Sequence, residues 1–131
     1  MGQIIPPGSE VIASGDTELR IELGRSSNAQ LAPHSSLTIA GRDATELSLD
    51  GSARFVIEHN LTRNLRIAAG PLTVSDVGTR FAIEQGEGRV VVAVEEGEVA
   101  VTGISIAQPL RITAGRTLTF DIALRQVTVV P

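Results

Sequence analysis

Cysteine, tryptophan, tyrosine and lysine are all absent from this 131-residue chain. Without cysteine, neither a disulfide nor a thiolate metal site can form. The only aromatic residues are Phe55, Phe81 and Phe120, whereas sugar-binding and single-strand nucleic-acid modules stack their ligands on exposed rings. All eleven basic residues are arginine, and a net charge of −4 provides no basic face for nucleic acid. We therefore predict that the chain does not bind nucleic acid.

Long apolar runs are also lacking. The longest extends from Val90 to Val94, far short of the ~18 residues that a membrane span needs. The start, Met1–Gly2–Gln3, has no charged and apolar stretch of the signal-peptide type. We expect no direct membrane insertion. Residues 1–15, rich in proline and glycine, are predicted to be a leader or linker, and residues 16–131 a single domain.

Apolar residues recur with a period of two almost throughout the chain, as in strands that bury one face. Alternating sets share a predicted core face: Leu19, Ile21 and Leu23; Leu37 and Ile39; Leu47 and Leu49; Phe55 and Ile57; Leu65 and Ile67; Leu72 and Val74; Phe81 and Ile83; Val90, Val92 and Val94; Val99 and Val101; Leu110 and Ile112; Leu118, Phe120 and Ile122; Val127 and Val129. No stretch has the pattern of a helix of normal length.

Turn signals separate these segments: Asp50–Gly51, Gly70–Pro71, Gly86–Glu87–Gly88, Glu96–Gly97 and Ala114–Gly115. Many short strands so spaced predict an all-β fold, either a twisted two-sheet sandwich or a solenoid-like stack. The string from Leu65 to Gly70 is nearly repeated from Leu110 to Gly115. Such a repeat is typical of the successive turns of a solenoid, although β-rich chains also repeat short sequences by chance.

Few residues are candidates for catalysis or for metal or phosphate binding. His34 and His59 lie beside turns without metal-site spacing, and no G-x-S-x-G elbow or phosphate-binding glycine loop occurs. The acidic residues Glu84, Glu87, Glu95, Glu96 and Glu98 lack the Asp and Asn of usual Ca²⁺ loops, so a solvated face explains them better. We predict a protein that is not an enzyme, with no catalytic, cofactor-binding or metal-binding residues.

The segment from Val74 to Val101 carries a more specific pattern. A predicted strand leads into the sequence Gly78–Thr79–Arg80–Phe81, and a valine-rich strand follows. The chain then turns at Glu96–Gly97 and continues as another valine-containing strand. This resembles the core signature of the FecR family. The resemblance extends to the segment around Gly51 and Phe55 and to the closing Ala114–Gly115 step. It implies structural roles for Gly51, Phe55, Gly78, Thr79, Arg80, Phe81, Gly97 and Gly115.

The resemblance implies a periplasmic signal-sensing domain belonging to a single-pass inner-membrane regulator of a sigma factor. An anti-sigma segment in the cytoplasm and one membrane span would precede it. The implied partner is a protein, either the signalling domain of a TonB-dependent transducer or a further periplasmic module, and no cofactor is implied. The alternative is a structural or adhesion-type β-module of a larger cell-envelope protein.

The surface of such a domain offers two kinds of contact. Open strand edges present unpaired N–H and C=O groups to another chain. Val56 and Val91 lie opposite the main apolar sets of their strands, so they mark either a surface patch or a second buried face. The sequence does not choose between them, and it leaves the interaction surface and the oligomeric state open.

Overall fold

The computed structural model describes residues 3–4, 10–13, 18–24, 27–40, 46–57, 66–76, 79–103 and 106–131. These residues form strands and turns, with no helix among them. The fifteen strands are β1 (Gln3–Ile4), β2 (Glu10–Ala13), β3 (Leu19–Gly24), β4 (Ser27–Leu31), β5 (Ser35–Ala40), β6 (Glu46–Asp50), β7 (Ser52–Ile57), β8 (Arg66–Ala69), β9 (Leu72–Asp76), β10 (Thr79–Gly86), β11 (Arg89–Glu96), β12 (Glu98–Gly103), β13 (Ile106–Thr113), β14 (Thr117–Asp121) and β15 (Gln126–Val130).

The strands form two sheets that pack as a sandwich, which confirms the predicted all-β class. Sheet A has the order β1-β3-β4-β7-β10-β11-β14-β15, and sheet B has the order β13-β12-β9-β8-β6-β5-β2. Along each sheet, therefore, strand number changes in one direction only. The sandwich thus grows from one end to the other in chain order, which is the winding of a solenoid.

The chain places hairpins alternately in the two sheets. Sheet A receives β3–β4, β10–β11 and β14–β15, while sheet B receives β5–β6, β8–β9 and β12–β13. Strand β7 is the exception, because it enters sheet A alone between two strands of sheet B. With a single strand between them, β6 and β8 run the same way and pair in parallel. The parallel pairing of β1 with β3 around β2 has the same cause.

Glycines occupy the tight corners of this path. Gly51 with φ 104° and Gly97 with φ 77° each form a one-residue step from one sheet to the other. Gly115, with φ 86°, lies in the step from β13 to β14. A positive φ is strained for residues with a side chain, which explains glycine at these corners. The predicted turn at Gly86–Glu87–Gly88 joins β10 and β11, and Glu87 and Gly88 both have positive φ, as a type I′ hairpin turn requires.

The core lies between the sheets and contains the inward residues of both. The rings of Phe55 and Phe81 stack at a centroid distance of 5.1 Å, next to each other on β7 and β10. Most predicted core faces are buried: Ile21, Leu37, Leu47, Leu49, Phe55, Ile57, Ile67, Leu72, Val74, Phe81, Ile83, Val90, Val92, Val94, Val99, Val101, Ile112, Leu118 and Phe120. Leu19 and Leu110 pack partly against them. Leu65 and the side chains of Leu23 and Ile39 lie outside what the structure describes.

Two predicted core residues are instead exposed. Ile122 lies in the turn after β14 and is 43% exposed, because the strand has already ended at Asp121. Val129 lies on β15 beside the buried Leu118, yet it is 38% exposed. β15 is the last described strand of sheet A, and no described strand lies beyond it to cover Val129.

Candidate interaction surface

In the described part of the chain, no group of three or more His, Asp or Glu residues could hold a metal ion. No helix able to cross a membrane is found there either. His34 is exposed, with φ 64°, in the step from β4 to β5, and His59 lies outside the described residues. The larger surface features of the described residues are the two outer sheet faces and the four sheet edges.

The acidic residues are spread along β10, β11 and β12. Glu84 lies on the outer face of sheet A, Glu87 at a hairpin tip, and Glu95 at the end of β11. Glu96 lies 4.0 Å from Arg80, and Glu98 lies 3.4 Å from Arg111. These pairs are solvated, so each contributes little to stability.

The outer face of sheet A has a half-buried centre of small residues. Across neighbouring strands, Arg54 pairs with Ala82, Ala82 with Ala93, and Ala93 with Thr117. Val56 and Val91 flank this row and are also half-buried. Both valines thus lie on the outer face of sheet A, where no described strand covers them.

The outer face of sheet B carries an uncharged row of small polar residues. Cross-strand pairs join Thr38 to Ser48, Ser48 to Ala68, Ala68 to Thr73, and Thr73 to Thr102. The hydroxyl of Thr102 donates to the carbonyl of Thr73 over 3.5 Å. Charged residues, including Arg66 and Arg111, lie one row away.

The four sheet edges differ in how well they resist further pairing. At one end, the described residues of β1 number two and those of β2 four. At the other end, β13 carries the exposed Pro109 and Arg111 and pairs irregularly with β12. Proline, charge and irregular pairing all discourage edge contacts. The remaining edge, β15, is uncharged, lacks proline, and pairs without a register shift.

All the exposed large hydrophobic residues of the described chain lie at this last edge. They are Ile122, Leu124, Val129 and Val130, with exposures of 43%, 67%, 38% and 47%. We call these four residues, together with the unpaired side of β15, the apolar edge. The sequence prediction missed Leu124 and Val130. The sequence does contain a signal for this surface. Ile122 and Leu124 are large apolar residues in the turn between β14 and β15, whereas turns are usually polar.

The signature residues have structural positions. Gly51, Gly97 and Gly115 lie at the steps between sheets, and the stacked pair Phe55 and Phe81 lies in the core. Thr79 and Arg80 begin β10 opposite Ile57 and Val56. Gly78 lies outside the described residues. In the structure, the two phenylalanines of the signature contact each other, whereas its described glycines lie in separate turns. None of the described signature residues lies on the apolar edge.

Comparisons with known proteins agree with this geometry. The family profile described as FecR protein matches residues 10–100. Two crystal structures, at 2.50 and 1.65 Å resolution, described as an anti-sigma factor from Parabacteroides distasonis ATCC 8503, share the fold, each with a TM-score of 0.83 at 12% identity. Each match covers 93% of this chain and 59% of the solved chain. Among curated proteins, none matches this sequence.

Proposed function

This chain belongs to the FecR family, and on that premise we propose that it is the periplasmic signal-sensing domain of a transmembrane sigma-factor regulator. The observation that carries the proposal is the family match over residues 10–100. The fold shared with structures described as an anti-sigma factor is consistent with it. This chain spans 59% of the length of those solved chains. The activity of a whole regulator is therefore also part of what we propose.

In this proposal the domain acts by contacting protein, without catalysis or a cofactor. A sensor of this kind would change the contacts of its faces or edges when an outer-membrane transducer changes state. The transducer's signalling domain, or a further periplasmic module, would be the partner.

The test measures transcription from a promoter that depends on the cognate sigma factor, in cells carrying the full-length regulator. We expect an in-frame deletion of residues 16–131 to abolish the response to the inducing signal. Protease added to spheroplasts should digest the domain, whereas intact cells should protect it. A response that survives the deletion would refute the sensing role, and protection in spheroplasts would refute the periplasmic location.

A structural or adhesion-type module remains the second candidate, and the apolar edge favours it, because an open sheet edge can join a neighbouring module. Tandem copies of this domain in one longer chain would support that alternative. A single copy, together with loss of signalling on deletion, would favour the sensor.

A further inference from the structure

We propose that the domain is a tension-sensitive element, in which a pull between Gln3 and Val130 opens the sandwich progressively, strand by strand, from its two outer sides toward its centre. The mechanical property belongs to the chain itself, and only its use in signalling rests on the proposed function. In a regulator held on one side by its membrane span and on the other by a protein partner, such a pull would convert tension into newly unpaired strands.

Gln3 and Val130 lie at opposite sides of sheet A, on almost the same line across its strands. Residues directly opposite each other on neighbouring strands define most of this line: Gln3↔Ile21, Ile21↔Ala29, Ala29↔Phe55, Phe55↔Phe81 and Phe81↔Val94. After a shift of one residue along β11, the pairs Ala93↔Thr117 and Thr117↔Val130 complete it. The line crosses seven strand interfaces of about 4.8 Å each, about 34 Å in all.

A pull along this line acts in the direction of the hydrogen bonds between strands, because those bonds are perpendicular to antiparallel strands. Sheet twist rotates successive strands about such a line, so each strand stays perpendicular to it. Gln3 is the first residue of β1 and Val130 is the last residue of β15, so the load reaches one terminal pair of each strand first. The pairs then break one after another, and each break needs only the force that one pair resists.

The strand order allows this opening to proceed inward from both sides. Strand number changes in one direction only along each sheet, so every strand that is released leaves the next one in chain order at the side of the sandwich. None of the described strands has to be withdrawn from between two others. In a stack whose units contact only their neighbours, loss of an outer unit leaves the inner units paired.

The centre of the sandwich has contacts that should resist longest. The N–H of Ser52 donates to the Ser35 hydroxyl over 2.9 Å, and the side-chain amide of Gln85 donates to the Leu49 carbonyl over 2.6 Å. Both hydrogen bonds join sheet A to sheet B, and the stacked phenylalanine rings lie on the same central strands, β7 and β10. We therefore expect an intermediate in which the strands from β5 to β10 stay paired while outer strands are extended.

The experiment holds the 131-residue chain between two DNA handles in optical tweezers. Because the chain has no cysteine, two engineered cysteines define the points of attachment. In Gln3→Cys/Val130→Cys the load acts along the line across sheet A. The matched variant, Arg89→Cys/Arg116→Cys, is attached at exposed residues at opposite ends of the interface between β11 and β14. There the pull runs along the strands and loads all five residue pairs of the interface together.

At equal loading rate we expect Gln3→Cys/Val130→Cys to open at a force at least twofold lower than Arg89→Cys/Arg116→Cys, and in two or more steps. An equal or higher opening force would overturn the proposal, and so would a single step without an intermediate. Thermal unfolding of both variants before attachment verifies that they are equally folded.

A third variant tests the role of the centre. Gln85→Ala, added to Gln3→Cys/Val130→Cys, should lower the force of the last step and leave that of the first step unchanged. A lower force at the first step alone would contradict the assignment of the centre as the last part to open. These measurements use neither the transducer nor the sigma factor, so failure of the mechanical proposal is distinguishable from failure of the sensor role.

Discussion

Ser35 occupies the space in which a side chain at Gly51 would lie. A Cβ atom built on Gly51 would be 2.8 Å from the Cβ of Ser35. The Ser35 hydroxyl accepts a hydrogen bond from the N–H of Ser52 over 2.9 Å, and the N–H of Ala32 donates to the Ser52 carbonyl over 2.9 Å. These two hydrogen bonds therefore join the connection between β4 and β5 to the connection between β6 and β7.

The first prediction concerns Gly51→Ala. The substitution combines a strained φ with displacement of a buried serine, and we expect it to lower the free energy of unfolding by about 3 kcal/mol in urea titrations. Gly115→Ala has the positive φ but nothing within 4 Å of the new methyl group, and should cost about 1–2 kcal/mol. Gly86→Ala has neither problem and should change stability by less than about 1 kcal/mol. Equal effects at all three glycines would contradict the role given to Ser35.

The second prediction concerns Gln85, which ties β10 to the neighbouring corner. Its side-chain amide donates to the Leu49 carbonyl over 2.6 Å, and its backbone N–H donates to the Gly51 carbonyl over 3.2 Å. Gln85→Ala should destabilise the fold by about 1–2 kcal/mol, since a part-buried carbonyl loses its donor. Gln30→Ala, which removes an exposed 3.5 Å contact to Glu18, is the control and should be near neutral. If the two variants are equally stable, the Gln85 contact contributes nothing.

The third prediction compares two adjacent valines on β11. Val92 is fully buried and Val91 is half-buried on the outer face. Val92→Ala should cost about 2–3 kcal/mol of unfolding free energy, and Val91→Ala less than about 1 kcal/mol. A Val91 variant as unstable as the Val92 variant would mean that another layer covers the outer face.

The fourth prediction concerns the stacked rings. Phe55→Leu and Phe81→Leu should be non-additive, with a coupling energy of about 0.5–1.5 kcal/mol in a double-mutant cycle, because each ring loses the same partner. Phe120 stacks on neither ring, so the Phe55→Leu and Phe120→Leu pair should add within about 0.5 kcal/mol. Strict additivity of the first pair would exclude a specific stacking contribution.

Local pattern was sufficient to predict twelve of the fifteen described strands and five of the turns, but it did not predict β1, β2 or β4. Alternation along β11 identifies Val90, Val92 and Val94 as core, and they are buried. Such residues can be recognised from sequence because strand geometry alone determines which side chains share a face. The Gly86–Glu87–Gly88 turn is predictable for a similar reason, since few residues accept positive φ.

Sheet assignment could not be predicted in the same way. The similar strings ending at Gly70 and Gly115 occur on β8 and β13, both in sheet B. After Gly70 the chain returns to sheet B through a two-residue turn, whereas after Gly115 it crosses to sheet A. Which sheet receives the next strand depends on distant partners, so the repeat does not mark equivalent turns. The exposure of Val129 is equally non-local, because it follows from β15 being an edge.

The one-directional strand order in both sheets bears on how the polypeptide can assemble. Each new hairpin adds beside strands that precede it in the chain, and none of the described strands has to insert between two that are already paired. A chain that emerges amino-terminus first during synthesis could therefore build both layers progressively, with each later segment pairing with strands that earlier segments have already formed.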